Sequence, residues 1–529
     1  MRFTQSIVAV WLGSCLCAQP ALAATPEVTA MKGMVVASSG TGAAEAGLAL
    51  LKRGGTAMDA AMAVAMMQPC RALGSFVSYG GILTLLYFDA AARKVYSLDA
   101  GFNTVRGEKN PLTIPGASPA DIIASSHSGP ASTPSGRTAL VPGFFAGVEA
   151  AHKRFGKRPF AEIAAPAIRC AEQGFALTPS EAGTISGRRE VLSRLPATKA
   201  IFTKPDGTFY KAGDLFKQPA LAQTLRAVVK EGAPAHIYKG AWAKAFVAAV
   251  QRDGGFMMME DLAAYEPTWT EPVHAGFNGY EIYSLGLPVM AGLQMVEAMQ
   301  SIERAGLTRA QPYDRDPATL YRLLQIAKAM NSRGDSATKP EHTDAIVAVD
   351  ERGNVAAVVH SINTVTWGST GIFVNGVSIP DSASFQQQVI ARLPAGSRLP
   401  ATIHPGLAIK DNKVALGFGS TGSGSGPRSI AALLSVLGHG MTPQQAIDAP
   451  ALGAFDVVDG VPPELAATVA EREFSDAYLK SLEDLGQITK PWNALRGYWL
   501  GVSIDPKTGL RRAGAMREFP QLGGGAAGY

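Results

Sequence analysis

The chain has 529 residues, a net charge of +5 and only 17% charged side chains, against roughly 25% in an average soluble protein. That length can bury a large core, and its many glycines and alanines favour a compact sheet protein over a disordered or coiled-coil one. The small charge, without any Lys/Arg block, excludes a nucleic-acid footprint.

Met1-Arg2 precedes an apolar run from Ile7 to Cys17, and Ala21-Leu22-Ala23 before Ala24 has the small-residue pattern of a signal-peptidase site. Residues 1–23 therefore read as a removed signal peptide and the protein as exported, periplasmic or secreted. The run is too short for a membrane span, and no later stretch reaches about 18 uninterrupted apolar residues, so no integral membrane segment is expected. Leu12-Gly13-Ser14-Cys15 is a weak lipobox look-alike. Cys15 and Cys17 leave with the leader; Cys70 and Cys170 can form one optional disulfide. Without H-x-x-x-H or C-x-x-C spacing, no metal or cofactor site is visible.

Gly33–Ser39 reads as a short strand, followed by a helix over Ala43–Arg53 that Gly54-Gly55 stops. Thr56 and Asp59 form a capping-box pattern that starts a helix from Ala57 to Met67. Tyr79–Tyr87 and Lys94–Asp99 read as hairpin strands, and Gly101–Arg137 as a long Pro/Ser/Gly loop. Pro159 suits the start of a helix over Phe160–Gln173, and strands are expected at Pro272-Val273 and Gly279–Ser284. Gly417–Arg428 reads as a Gly-rich turn that opens a helix, and Thr442-Pro443 as a capped helix start. That turn lacks the G-x-x-x-x-G-K-[ST] spacing of a phosphate loop.

The stretch of most interest is Thr343–Asp350, a turn at Arg352-Gly353-Asn354, and Val355–Asn363. Two apolar, β-branched runs around a polar turn predict a hairpin. Strand alternation then puts Ser361 and Asn363 on one face and His360 on the other, so a threonine opening the first strand can share a surface with Ser361 and Asn363.

These residues resemble the start of the catalytic subunit in γ-glutamyltransferase-family N-terminal-nucleophile hydrolases, whose precursor cuts itself before a threonine seven residues ahead of the Asp of a V-V-D-x-x-G-N turn. Counting seven back from Asp350 gives Thr343. Further likenesses are Gly54-Gly55-Thr56-Ala57, Val141–Val148, Gly254–Tyr265 and the closing Ala527-Gly528-Tyr529. The resemblance implies an α+β fold, a four-layer αββα sandwich built jointly by residues 24–342 and 343–529, large and small subunits of one precursor, with no cofactor or metal. It implies cleavage between His342 and Thr343, with Thr343 as nucleophile, and Ser361 where the family has a hydroxyl that hydrogen-bonds it. It also implies substrate contacts from Asn363, Asp381 and Thr402, and oxyanion donors near Gly422 and Ser423.

The chemistry is coherent, because a threonine hydroxyl is too weak an acid to attack an amide unaided. A free α-amine, with an unperturbed pKa of about 7.7–8.0, can take its proton. The implied activity is an acyl-enzyme amidohydrolase or acyltransferase acting on a small amide or peptide, with transfer to water or an amine. Where the family has a D-F-R-E arginine for a glutamyl carboxylate, this chain has Asp99-Ala100-Gly101-Phe102, and its N-N-x-M-D-D acid pair is reduced to Asp381. Arg106 is a candidate substitute cation, and an exposed loop arginine is the plainer reading. Two other readings remain: an inactive binding homologue, and a penicillin-recognising serine enzyme through Ser336–Lys339, Ser361–Asn363 and Lys507–Gly509.

Overall fold

The structure, a computed structural model, describes residues 27–116, 133–332, 343–401, 403, 405–422, 425–450, 452, 466–470, 473–492, 497–515 and 523–529. The expected leader 1–23, Ser336–Lys339, His342, Thr402 and Ser423 lie outside the described residues. Among those described, fourteen strands build two sheets: β1 (Val28–Ala30), β2 (Met34–Ser39), β3 (Ile82–Asp89), β4 (Lys94–Ala100), β5 (Thr268–Thr270), β6 (Val273–Phe277), β7 (Tyr280–Ser284), β8 (Thr343–Val349), β9 (Val355–Ser361), β10 (Pro405–Lys410), β11 (Lys413–Thr421), β12 (Tyr498–Ile504), β13 (Arg511–Gly514) and β14 (Gly523–Gly528). The first sheet runs β14-β2-β8-β9-β3-β4-β5 and the second β1-β13-β12-β11-β10-β7-β6.

Strands β8 and β9 sit in the middle of the first sheet, covered on both sides. That is why Ala345–Val349 and Val355–Val359 are apolar without a break. Ala345, Val347, Ala357 and Val359 belong to the core on the side of the second sheet, where Gly417 and Gly419 of β11 come up against Val347 and Ala345. Ile346, Ala348, Ala356 and Val358 point the other way, into a second core. That second core is closed by helices Ala43–Lys52, Ala57–Arg71, Phe144–Phe155, Phe160–Gln173, Pro219–Glu231 and Ala241–Arg252. Helices Met290–Arg304, Pro317–Ser332 and Ser425–Leu433 cover the second sheet. The result is the expected four-layer αββα sandwich of the N-terminal-nucleophile hydrolase type.

Local signals in the sequence account for much of this. Thr56 Oγ1 accepts from Asp59 N–H (3.2 Å) while Asp59 Oδ2 accepts from Thr56 N–H (2.8 Å), the reciprocal cap expected there. The helix it starts runs on to Arg71, past the expected stop at Met67, with Pro69 inside it. Proline removes one helical donor, but Met58–Met66 and Cys70 are fully buried, and that packing holds the last turn. Cys70 and Cys170 pair as a disulfide between this helix and Phe160–Gln173.

Two glycine runs read differently in three dimensions. Tyr79–Gly81, expected in a strand, precedes β3; a Cβ on Gly81 would lie 2.3 Å from the Ser361 carbonyl oxygen, so the chain passes close behind the end of β9. Gly417 and Gly419, expected in a turn, lie within β11. A Cβ on Gly417 would come within 2.9 Å of Val347, and one on Gly419 within 2.9 Å of Ala345, so these glycines let the two sheets close on each other. Gly419→Val should therefore lower the unfolding free energy by about 1–3 kcal/mol, the usual cost of overpacking, as read by urea denaturation.

Candidate active site

Thr343 is the first residue of β8 and lies directly across from Ser361, the last residue of β9. Both share the face of Ala345 and Val359, which looks toward the second sheet. Thr343 Oγ1 donates to Ser361 Oγ at 3.1 Å. Hydroxyl protons rotate, so either oxygen can present its proton to the other. In β11, Gly417 stands over Val347 and Gly419 over Ala345; by the same two-residue period Thr421 ends the strand on that face, followed by Gly422. Gly422 has φ of 82°, a left-handed conformation suited to glycine, and its carbonyl accepts from Ser425 N–H (3.1 Å) at the start of the next helix.

Asn363 departs from the alternation expected of it. The strand ends at Ser361, and Asn363 turns to φ of 51°, donating its backbone N–H to Ser361 Oγ (2.9 Å). Its Oδ1 is buried and has no hydrogen-bond partner among the described residues. A buried acceptor left unpaired costs about 1–3 kcal/mol.

The loop after Asn363 is bent at Trp367, Gly368 and Gly371, all at positive φ, and is gripped from a separate small core. Trp367 Nε1 donates to Leu73 O (3.0 Å), Arg194 Nε to Thr370 O (2.6 Å) and Thr198 Oγ1 to Gly371 O (2.6 Å), while Arg188 donates to Gly368 O. Asp381 belongs to this support. It is fully buried, accepts from Thr364 Oγ1 (2.5 Å), and its charge faces Arg188, whose guanidinium burial pulls down to about 10. Asp381, the substrate-binding acid that the resemblance implies, thus lies buried in the support of this loop. No sequence pattern signals this clamp, since Arg188 and Thr198 lie 180 and 173 residues from the carbonyls they bind.

The end of β4 explains the missing arginine at position 101. A Cβ on Gly101 would lie 3.2 Å from Arg398 Cδ, so Arg398 occupies that space. Its Nε donates to Asn103 Oδ1 (2.9 Å), Nη1 to Asp99 O (2.9 Å) and Nη2 to Glu266 O (2.6 Å), and it pairs with the Asp99 carboxylate at 3.4 Å. Burial raises the Asp99 carboxyl, and Arg398 opposes that rise. Arg106 sits elsewhere, donating to Glu260 O (2.8 Å) with Asp261 at 4.0 Å.

On the opposite face of the hairpin, Asp344 and His360 are cross-strand partners and fully buried. Burial lifts the Asp344 carboxyl to about 6, against hydrogen bonds from Ser38 and Ser39. Burial also lowers the His360 imidazole to about 3, and its Nε2 lies 2.7 Å from Gln68 Oε1. Nothing in the sequence singles out either residue as functional.

Lys507-Thr508-Gly509 lies in the exposed turn between β12 and β13, its amides capped by Asp505. Thr421 pairs with Tyr498 at the other end of β12, so this turn is about 20 Å from Thr421 at roughly 3.3 Å per residue. That distance removes the third motif of a penicillin-recognising enzyme from the site.

A sequence profile described as Gamma-glutamyltranspeptidase matches residues 43–342 and 327–518. The chain belongs to the gamma-glutamyltranspeptidase family. It is 27% identical to a glutathione hydrolase proenzyme of Escherichia coli strain K12, over 99% of this chain and 98% of that protein. It is 25% identical to an acylase, the ACY 1 proenzyme of Pseudomonas sp. strain SE83, over 64% and 68%. Its fold matches a crystal structure of cephalosporin acylase from Bacillus halodurans with a TM-score of 0.76, at 22% identity, covering 98% and 99% of the two chains. This family member is an enzyme, a γ-glutamyltransferase-like N-terminal-nucleophile hydrolase of divergent sequence.

The buried pair behind β8 makes opposite contributions to stability as pH falls. His360 stays neutral in the fold down to about 3 but takes a proton in the unfolded chain below 6.5, so its contribution is lost on acidification from 6.5. Asp344 is protonated in the fold below about 6 and in the unfolded chain only below 3.8, so it stabilises progressively between those values as pH falls. With 1.36 kcal/mol per pH unit as the limiting slope, Asp344→Asn should lose about 2 kcal/mol relative to wild type between pH 6 and pH 4, and His360→Gln should gain about as much. Urea unfolding at the two pH values measures both.

Proposed function

We propose that this enzyme is a self-processing N-terminal-threonine amidohydrolase or acyltransferase whose nucleophile is Thr343. The observation that carries the reading is the Thr343–Ser361 hydroxyl pair at the end of the central hairpin, beside the unpaired Asn363 Oδ1. Cleavage between His342 and Thr343 would leave residues 24–342 and 343–529 as subunits of one fold and expose an α-amine on the nucleophile itself. That amine takes the proton from Oγ1 as the oxygen attacks the acyl carbonyl. The amide C–N bond then breaks, the leaving amine takes the proton, and the acyl group remains as an ester on Thr343. Water, or a second amine, attacks the ester and releases the acid or the new amide.

Backbone N–H groups near Gly422 and Ser423 would hold the oxyanion, each worth about 3–4 kcal/mol in the transition state. Asn363 Oδ1 would accept a hydrogen bond from the substrate and Thr402 would contribute a further contact, while Asp381 acts through the loop that carries Asn363. The leader 1–23 would deliver the enzyme to the periplasm or the exterior. Relatives named as glutathione hydrolase and as acylase support amide cleavage and leave room for a different acyl group.

The acyl group follows from charge. A glutamyl α-carboxylate taken out of water needs a paired cation. At the end of β4, Gly101 offers none, and Arg398 and Arg106 are both engaged with the protein. An acyl donor without the amino-acid head is therefore the better substrate.

Two outcomes test this reading. Purified wild type should run as two fragments on a denaturing gel, the smaller beginning at Thr343, and Thr343→Ala should remain one uncut, inactive chain; a single wild-type band that turns over an amide would sink the mechanism. In addition, butyryl-p-nitroanilide should be cleaved with a kcat/KM at least about 100-fold above that for γ-glutamyl-p-nitroanilide, the ratio that a loss of about 3 kcal/mol gives. Efficient γ-glutamyl release that survives Arg106→Ala would return the chain to the γ-glutamyl-specific enzymes.

A further inference from the structure

Strand β8 parts from its neighbour β2 before it reaches Thr343. Their ladder runs from Met34↔Val349 to Ala37↔Ile346 and stops there. Side chains bridge the rest of the gap. Ser38 Oγ accepts from Ala345 N–H (2.8 Å) and donates to Asp344 Oδ1 (2.6 Å), and Ser39 Oγ donates to Asp344 Oδ2 (2.6 Å). Gln68 Nε2 donates to Ser39 O (3.3 Å), and Gln68 Oε1 meets His360, the cross-strand partner of Asp344. A chain of hydrogen bonds thus runs around the residue next to Thr343, on the face away from Ser361.

A strand's terminal residue is its most easily frayed part. If the chain is cut before Thr343, the reading on which this inference rests, Thr343 becomes terminal and keeps a backbone ladder on the β9 side only. We infer that Asp344 is a positioning residue, whose carboxylate, gripped by Ser38 and Ser39, holds the end of β8 so that Thr343 Oγ1 stays against Ser361.

The groups facing this carboxylate are the two serines of β2, His360 of β9 and Gln68 of the helix Ala57–Arg71. Arg71, at the end of that helix, is bound to Thr41 and Glu181. Each carboxylate oxygen accepts one hydroxyl proton, so on protonation one of the two serines must turn from donor to acceptor and the grip rearranges. The carboxyl titrates near 6, which places that rearrangement on the acid side of neutrality, below the titration of the α-amine.

The test uses the full chain as wild type, Asp344→Asn, Ser38→Ala and Thr343→Ala. Fragment formation is followed on denaturing gels between pH 5 and pH 8, and kcat and KM are measured with butyryl- and γ-glutamyl-p-nitroanilide. Asp344→Asn should be cut at Thr343 about 10-fold more slowly, and should lose kcat by about 10- to 100-fold with KM changed less than about twofold. Its rate profile should lack the limb near pH 6 that wild type shows. Ser38→Ala removes one donor to the carboxylate and should move that limb to higher pH, which keeps the test open if Asp344→Asn does not fold. Wild-type rates and an unmoved limb in these variants would overturn the positioning role. Cleavage or turnover by Thr343→Ala would instead overturn the nucleophile reading.

Discussion

The arrangement depends on one constraint: the hairpin of β8 and β9 is buried on both faces, so polar side chains are tolerated only where the hairpin ends and a partner is present. Along Ala345–Val349 and Val355–Val359 every residue is apolar and buried. Polarity begins at Asp344 and Thr343 on one strand and at His360 and Ser361 on the other, each in contact with a polar neighbour. A hydroxyl placed there is held by a rigid sheet at the end of a buried hairpin.

The glycines of β11 belong to the same constraint. Sheets normally pack about 10 Å apart. Near the hairpin end the second sheet comes closer, because Gly417 and Gly419 present no side chain to Val347 and Ala345. That approach runs toward the end of β11 at Thr421, on the side where Thr343 and Ser361 pair. Packing that looks like a matter of stability thereby sets the geometry of the chemistry.

Much of this is legible in the sequence, and the reasons are local. The Thr56–Asp59 cap, the hairpin and the pairing of Thr343 with Ser361 follow from short-range patterns whose physics does not depend on distant residues. Asn363 cannot be placed that way: alternation predicts its face only while the strand lasts, and β9 ends two residues earlier. Asp381 is named in the sequence only by the resemblance, and the neighbours that surround it in three dimensions, Thr364 and Arg188, lie 17 and nearly 200 residues away without any pattern to signal them. The grip of Ser38 and Ser39 on Asp344 spans more than 300 residues and carries no pattern at all.

The same distinction bears on specificity. The absence of an arginine at position 101 is plain in the sequence, but its physical meaning is not, because an absent cation can be replaced from any part of the fold. Arg398 does fill the space, as the contact to a Cβ at Gly101 shows. Yet its guanidinium is turned into the protein, with Asn103, Asp99 and Glu266 taking its donors and the Tyr265 ring 4.9 Å from its centre. Occupying the position therefore differs from replacing the function: an arginine whose donors are already matched inside the protein neutralises Asp99, and offers a substrate carboxylate only what remains after that pairing is broken.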